Sequence, residues 1–323
     1  MSSSCRQYSG LQQLAPYLLK ISVLIGVAYI VYDYIDINLV YRHIANTNLG
    51  FLVITMLIIL LVPVGLGMRL AYIADIRLKV AIDCTFKAVF FNNFLPAQFG
   101  GDAYKIIKLS RNDMDKKSSV AAVASDRIIG LITHILLLVV SVVFGWQYFS
   151  NNEVRYGIVL YVIAFTLILA LIYLVPENLI QKMTRFHTSL ISVGQMIKQT
   201  HRLLKVSILT KMMYGVLLSA LSIGVSMIVV LCAMYALHLN PHYAAILVFH
   251  PVIAMLVLTV PISFNGLGVR EGLFVYFYQM VGYTSEEAFA ISVIYLLATI
   301  CMSLAGGALL LVGREKLTKI NSE

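Results

Sequence analysis

Seven long apolar stretches separated by short polar connections dominate this sequence. They cover 17–34, 51–70, 120–148, 154–175, 207–236, 243–262 and 286–312. A helix needs roughly 20 apolar residues to cross a bilayer, where its backbone polar groups must be satisfied internally. Only 12% of the residues are charged and 60% are apolar, which excludes a soluble globule, a disordered chain and a nucleic-acid-binding tail. The pattern predicts an all-α, polytopic membrane helical bundle.

Basic residues indicate how the spans are oriented. The connections 69–118 and 176–211 and the C-terminal tail are rich in Lys and Arg, whereas 35–50, 149–155 and 237–243 hold few of them. Because basic residues favour the cytoplasmic side, both termini are expected in the cytoplasm, at the cell inner (plasma) membrane. This orientation requires an even number of crossings.

Two shorter, interrupted apolar stretches complete the predicted topology. We assign 267–282 as the eighth span, because seven long stretches cannot return the chain to the side on which it began. The stretch 80–109 must begin and end in the cytoplasm, so it is predicted to enter the membrane as a re-entrant hairpin. The sequence therefore predicts about eight spans with broken or re-entrant helices near 80–109 and 261–282.

The domain organisation is predicted to be simple. Residues 1–323 form a single integral membrane domain, in which 1–175 and 207–323 are candidate halves of a pseudo-repeat. Between the halves, apolar residues of 178–206 recur at steps of three and four, as on one face of a helix, with basic residues beside that face. This segment predicts a cytoplasmic amphipathic connector helix on the anionic inner leaflet. Docking to a partner protein is the alternative.

Two glycine-containing breaks carry functional information. The first reads NNFLPAQFGGDAYK over 92–105, and the second reads PISFNGLGVREG over 261–272. In each, Pro96 or Pro261 ends an incoming helix, and glycines permit an irregular backbone. A new helix then begins with free N–H groups that attract phosphate or carboxylate. Interrupted helices of this kind mark the binding sites of transporters, and ordinary interfacial loops with glycine caps are the alternative.

Charged and polar residues inside the apolar stretches are a second signal. Asp126 and Arg127 lie within 120–148, where a buried charge costs ~2.5–3.5 kcal/mol. Neighbours on a helix diverge by about 100°, so each needs a partner elsewhere or water. His250, beside Pro251, is interpreted as a hydrogen-bonded core residue, with proton shuttling as the alternative. The sequence holds no recognisable catalytic motif or metal cluster, so no catalytic residue, metal or cofactor is predicted.

The candidate substrate-binding residues lie at the two breaks and in one span. They are Asn93, Gly100, Gly101, Asp102, Lys105, Asp126, Arg127, Gly266, Gly268, Arg270 and Glu271. In a chain with so few charges, the charged members of this set are the strongest candidates for function.

These motifs resemble those of the membrane domain of bacterial lysylphosphatidylglycerol synthases, a family that includes stand-alone, flippase-like members. The resemblance covers nearly the whole chain and rests on Asn93-x-x-Pro96-x-x-x-Gly100-Gly101-Asp102, Asp126-Arg127 and Pro261-x-Ser263-x-x-Gly266-x-Gly268-x-Arg270-Glu271. Arg69, at the end of the second span, also fits. The family's usual Ser-Pro-Gly-Gly-like stretch is replaced by residues 263–266, which predicts altered headgroup contacts in the second break.

The resemblance implies a protein that binds or translocates a phosphate-bearing lipid, either anionic, of polyprenyl-phosphate type or aminoacylated. The basic candidates and the two helix starts would cradle the phosphate, and the acidic candidates would balance them or bind a cationic headgroup. Full synthases carry a soluble aminoacyl-transferase domain after the membrane part. Here the chain ends at Glu323, shortly after the last span, so we expect no synthase activity and a separate glycosyltransferase or aminoacyl-transferase partner.

The leading hypothesis is therefore a non-enzymatic lipid translocase or lipid-handling transporter, with membrane lipids and no nucleic acid as its partners. Two alternatives stay open. A membrane-embedded glycosyltransferase would use Asp33 and Asp36 as acids, although the outer loops are short. An accessory protein in glycolipid or polysaccharide assembly belongs to the same alternative. A small-solute permease suits the broken helices equally well.

Overall fold

The computed structural model describes residues 35–94, 99–112, 114–149, 151–174, 208–259 and 266–320, and all regular secondary structure in these ranges is helical. The helices are α1 Ile37–Ala45, α2 Leu49–Ile58, α3 Leu61–Ala74, α4 Leu78–Phe94, α5 Phe99–Asn112, α6 Lys116–Gly145, α7 Asn152–Leu174, α8 Ile208–Ala236, α9 Tyr243–Thr259, α10 Val269–Gln279 and α11 Ser285–Ile320. A short 3₁₀ turn, Trp146–Tyr148, extends α6. The all-α prediction is confirmed.

Four helical segments of the described ranges have the length and apolar character to cross a membrane. They are Leu49–Ala74, Lys116–Tyr148, Thr210–Ala236 and Ser285–Val312. Each coincides with a predicted span, so the chain is a membrane protein with several apolar helices. The total of eight spans and the position of the termini stay predictions.

Two predicted elements, the first span at 17–34 and the amphipathic connector at 178–206, lie outside the described residues. The stretch assigned as the eighth span, 267–282, contains α10, a helix of 11 residues. Such a helix is about 16 Å long, roughly half the thickness of a hydrocarbon core. By itself α10 is too short to cross, so the eighth crossing at this place also stays a prediction.

The stretch 80–109 folds as two helices, α4 and α5, that pack against each other. This is the helical hairpin that the sequence predicts; its connection, 95–98, lies outside the described residues, and its depth in a membrane stays a prediction. Glycines hold α4 tightly against its other neighbours. A Cβ at Gly67 would lie 2.7 Å from the Ile82 Cα, and one at Gly306 would lie 2.1 Å from the Phe86 carbonyl oxygen. Such small residues let membrane helices approach closely.

The largest buried apolar cluster joins α6, α8, α9, α10 and α11. Its centre is aromatic: the rings of Phe249 and Phe277 stack with centroids 5.4 Å apart, and Phe274 stacks on Tyr278 at 5.3 Å. All four side chains are buried. This packing fixes α10 against α9 and α11, and so determines where the charged residues at the start of α10 lie.

Candidate functional site

Asp126 joins three helices around one buried carboxylate. Its Oδ1 accepts a hydrogen bond from Arg69 Nε of α3 at 2.7 Å, and its Oδ2 accepts one from Lys105 Nζ of α5 at 3.2 Å. The residues are only 6%, 8% and 3% exposed for Arg69, Lys105 and Asp126. These three residues, the buried charge cluster, combine two cations with one anion. Their burial shows that the carboxylate of α6 finds its partners on other helices, as the sequence predicts.

Arg69 extends the buried charge cluster to a fourth helix. Its Nη1 donates to Ser219 Oγ of α8 at 2.7 Å, and that hydroxyl donates onward to the Gly215 carbonyl oxygen at 2.7 Å. A Cβ at Gly130 would lie 2.9 Å from Arg69 Nη1, so the glycine makes room for the guanidinium. From the sequence, Arg69 is expected to extend to the lipid headgroups at the end of the second span; its burial and its pairing with Asp126 correct that expectation. Sequence reasoning missed Ser219. The available signal for Ser219 was a small polar residue inside an apolar span.

A second ion pair lies next to the buried charge cluster. Arg127 Nη1 donates to Asp102 Oδ2 of α5. The Arg127 and Asp102 side chains are 32% and 20% exposed, against 10% or less for those of the buried charge cluster. Two ion pairs therefore join α5 and α6. In the accessible pair α5 supplies the acid, and in the buried pair α5 supplies the base.

The buried charge cluster lies within the apolar part of α6. Asp126 is six residues into the predicted span 120–148, or about 9 Å along the helix axis. Charges at such depth are rare and mark substrate or ion pathways in membrane proteins. The cluster is therefore the strongest candidate functional site in the described part of the chain.

The first break uses its glycines for packing. The Gly101 N–H, in the first turn of α5, donates to Asn92 Oδ1 of α4 at 2.7 Å. A Cβ at Gly101 would lie 2.5 Å from the Ala88 carbonyl oxygen, so only glycine fits between the two helices there. Gly100 is also buried. One predicted anion-binding N–H is thus occupied by a protein amide in this structure.

Two further residues of the first motif lie at the edge of the described range that ends with α4. Asn93 lies near the end of α4, and its side chain is outside what the structure describes. Pro96 lies between the described ranges, as does Pro261 of the second motif. Their roles as candidate ligand and structural breaks stay predictions.

The second break supplies its own anion. Gly266 and Gly268 have φ of 81° and 86°, the left-handed region that favours glycine. Glu271 Oε2 accepts a hydrogen bond from the Gly268 N–H at 2.5 Å, and its Oε1 accepts one from Arg270 Nη2 at 2.8 Å. Both charged residues are buried. The helix start predicted to attract phosphate is therefore capped by a carboxylate of the same helix.

Aromatic and polar side chains surround the second pair. The Arg270 guanidinium carbon lies 5.4 Å from the centroid of the Tyr295 ring, within cation–π range. The Tyr295 ring contacts that of His250, whose Nε2 hydrogen-bonds Ser226 Oγ at 2.7 Å. His250 is thus buried and hydrogen-bonded, as the core interpretation predicts.

The structure brings four of the six charged candidates together. Asp102 and Lys105 of α5 meet Asp126 and Arg127 of α6 through the two ion pairs. Arg270 and Glu271 pair with each other at the start of α10, and no ion pair between described residues links them to the other four. A single cleft that contains both groups stays a prediction.

The acids of the glycosyltransferase alternative receive little support. Asp36 caps α1, because its Oδ1 accepts hydrogen bonds from the N–H groups of Asn38 at 2.8 Å and Leu39 at 3.3 Å. Asp33 lies outside the described residues. Within the described ranges, no group of three or more His, Cys, Asp or Glu is placed to hold a metal ion.

Comparison with known families gives one match. The model of the lysylphosphatidylglycerol synthase transmembrane region matches residues 17–307, which include both breaks and the buried charge cluster. The comparison with curated proteins gave no match. Because the match covers most of the chain, the protein belongs to the lysylphosphatidylglycerol synthase transmembrane family, and its function is related to membrane lipids.

Proposed function

We propose that this member of the lysylphosphatidylglycerol synthase transmembrane family is a translocase, or lipid-handling transporter, for lipids with a phosphate-bearing headgroup. The observation that carries the proposal is the imbalance of the buried charge cluster, in which Arg69 and Lys105 share the one carboxylate of Asp126. The acyl chains stay in the surrounding bilayer, so only the headgroup has to enter the protein.

Electrostatics favour an anionic ligand at the buried charge cluster. Burying a charge in an apolar interior is costly unless it is paired. Two cations that share one carboxylate carry an excess positive charge, and a lipid phosphate would neutralise it. Planar guanidinium and compact ammonium groups both bind phosphate through charge-assisted hydrogen bonds. The cluster is thus more favourable with a phosphate beside it than without one.

The accessible ion pair offers the first contact. Arg127 is held by Asp102, and both side chains are partly exposed. An incoming phosphate competes with the Asp102 carboxylate for the guanidinium and then lies one residue along α6 from Asp126. The step from the accessible pair to the buried charge cluster moves the headgroup sideways, from a partly exposed to a buried position at nearly the same level of α6. Each of these cations already binds a carboxylate, so the phosphate binds by replacing that carboxylate. The carboxylate can replace the phosphate in turn, so the lipid is not held too tightly to be released.

We also propose that the protein acts without catalytic chemistry of its own, in the inner membrane and with both termini in the cytoplasm. The distribution of Lys and Arg among the connections supports this orientation. A separate glycosyltransferase or aminoacyl-transferase would supply or consume the lipid.

A reconstituted transport assay tests the proposal. The full chain is placed in liposomes that carry fluorescent phosphatidylglycerol or phosphatidylethanolamine, and dithionite quenching measures the lipid that moves between leaflets. We expect the wild-type protein to accelerate movement above protein-free liposomes. The double variant Arg127→Gln/Asp102→Asn removes both charges of the accessible pair, and its unfolding free energy is measured alongside to separate an effect on transport from an effect on folding. Losing one charge-assisted contact of ~1.5 kcal/mol predicts about a tenfold slower rate.

The matched control is Lys117→Gln, a basic residue exposed in the first turn of the same helix. We expect this variant to transport at the wild-type rate. Wild-type movement equal to that of protein-free liposomes would contradict the proposed function. A double variant as fast as wild type would remove Arg127 and Asp102 from the pathway.

A further inference from the structure

A groove of about 600 Å³ lies between the C-terminal part of α3 and the first turns of α8. The two helices run antiparallel along it, so residues near the end of α3 face residues near the start of α8. Asp75 and Lys211 line one end, whereas Met68, Leu217 and Leu218 line the other. The groove therefore has one charged end and one apolar end.

The charged end is fixed by the helix termini. Asp75 ends α3 in the left-handed conformation with φ of 55°, and its N–H donates to the Ala71 carbonyl oxygen. Lys211 lies in the first turn of α8. Among the described residues, no ion pair joins Asp75 to Lys211. Opposite charges that share a groove without pairing leave room for a ligand that carries both signs.

Two tyrosines line the groove between its charged end and its apolar end. The rings of Tyr72 and Tyr214 approach with centroids 5.3 Å apart, and the two side chains are 39% and 51% exposed. Tyrosine is enriched where a membrane meets water, because its ring is amphipathic. The two tyrosines therefore suit a groove at the membrane surface, and its apolar end lies toward the apolar parts of α3 and α8.

The groove and the buried charge cluster lie on two sides of the same helix contact. Arg69 follows Met68 in α3, and its bond to Ser219 crosses from α3 to α8. Further along this contact the helices are tight, since a Cβ at Gly65 would lie 2.3 Å from Ser222 Oγ. The α3–α8 contact is thus closed near Gly65 and open at the groove.

We propose that this groove binds one glycerophospholipid with a zwitterionic, amine-bearing headgroup, and that it is a second station, besides the accessible ion pair, from which a lipid reaches the buried charge cluster. Lys211 would bind the phosphate, Asp75 the amine, and the apolar end one acyl chain. The second part of the proposal rests on the proposed transport function. An anionic lipid without an amine leaves Asp75 without its partner, so the groove favours the zwitterionic class.

Photo-crosslinking in liposomes tests the proposal with the full chain. The probe is phosphatidylethanolamine with a diazirine in its acyl chain, and mass spectrometry locates the labelled residues. We expect label to concentrate on 68–78 and 211–218, above the level on Val143 and Phe144, apolar residues of α6 that are even more exposed. Leu217→Trp fills the groove and is expected to lower this label about tenfold. Leu221→Trp is the matched control, because Leu221 is 57% exposed against 54% for Leu217 and lies one turn further along α8, outside the groove.

Two further variants test the headgroup. Asp75→Asn should lower labelling by the phosphatidylethanolamine probe about tenfold and leave labelling by an equivalent phosphatidylglycerol probe unchanged. Lys211→Met should lower both, since loss of one charge-assisted hydrogen bond changes affinity by about this factor. Lys117→Met, an exposed basic residue that does not line the groove, should lower neither.

Several results would overturn the inference. One is label spread evenly over all exposed apolar faces, and another is equal labelling of the Leu217→Trp and Leu221→Trp variants. The third is a groove that stays unlabelled because residues 175–207 of the chain cover it. Transport in the same liposomes separates the two proposals. If the wild-type protein transports lipid but the groove is unlabelled, only the proposed groove site is refuted. If the groove is labelled but the wild-type protein does not transport lipid, the lipid-binding site is supported, and both the translocase function and the groove's role as a station are refuted.

Discussion

Replacing Asp126 with asparagine is the most direct test of the buried charge cluster. Within the described ranges, its carboxylate is the acidic group that pairs with Arg69 and with Lys105. The substitution keeps the shape of the side chain and removes its charge. Two cations then remain buried between α3, α5 and α6 without a counter-ion.

The expected cost follows from the contacts that remain. Removing one partner of a buried ion pair costs ~3–5 kcal/mol of unfolding free energy, because the other charge stays buried. Arg69 keeps its hydrogen bond to Ser219, and the asparagine oxygen accepts one hydrogen bond from it. We therefore expect a loss of about 3 kcal/mol, at the lower end of that range. Lys105→Met in the same chain removes one of the unpaired cations, so the double variant should recover about 1–2 kcal/mol.

The measurement is the free energy of unfolding in mixed detergent micelles, followed by circular dichroism of the helices. Wild type, the two single variants and the double variant form a cycle that isolates the coupling between Asp126 and Lys105. Lys117→Gln serves again as a control for loss of an exposed charge. An Asp126→Asn variant within about 0.5 kcal/mol of wild type, the range of ordinary surface substitutions, would refute the role of this carboxylate as a buried counter-ion.

Three further predictions use the same unfolding measurement. Gly306→Ala should destabilise the protein by ~1–3 kcal/mol, because the added methyl group meets the backbone of α4. Gly224→Ala is the control and should not destabilise it in this way, because nothing lies within 4 Å of the added Cβ. Equal effects of the two substitutions would argue against the close α4–α11 contact. Ser219→Ala should cost ~1.5–3 kcal/mol through the lost charge-assisted hydrogen bond, and no change would argue against that bond. The pKa of Asp115, the residue that caps α6, is lowered from 3.8 by hydrogen bonds from Ser118. The stabilisation of the protein by this cap is therefore complete above pH 3.8 and lost as the pH falls below it. Asp115→Asn should remove that part of the pH dependence of the unfolding free energy, and an unchanged pH profile would contradict the cap.

The helices could be predicted from sequence because the signal is local. Apolar stretches of sufficient length form helices wherever water is excluded, and the predicted span 120–148 lies almost wholly within Lys116–Tyr148. The hairpin of α4 and α5 could be predicted for a similar reason, since proline and glycine interrupt the pattern at a definite place. Charge within a span was enough to single out Asp126 and Arg127 as residues that need partners.

The choice of partners could not be predicted, because it depends on contacts between distant helices. Arg69 and Ser219 lie 57 and 93 residues from Asp126 in opposite directions along the chain, and nothing local relates them. The second break shows the same limit. Its motif suggested an open anion site, yet Glu271 occupies the Gly268 N–H. Asp36 likewise looked like a catalytic acid and forms a helix cap.

The crossed ion pairs between α5 and α6 restrict how the protein can move. Asp102 pairs with Arg127, and Lys105, one turn further along α5, pairs with Asp126. If α5 slipped by one turn, about 5.4 Å, in one direction, Lys105 would face Arg127; in the other direction, Asp102 would face Asp126. Like charges would meet either way, so these two helices hold one register and travel as a unit. A headgroup that displaces Asp102 from Arg127 must therefore do so without a slip of α5 along α6.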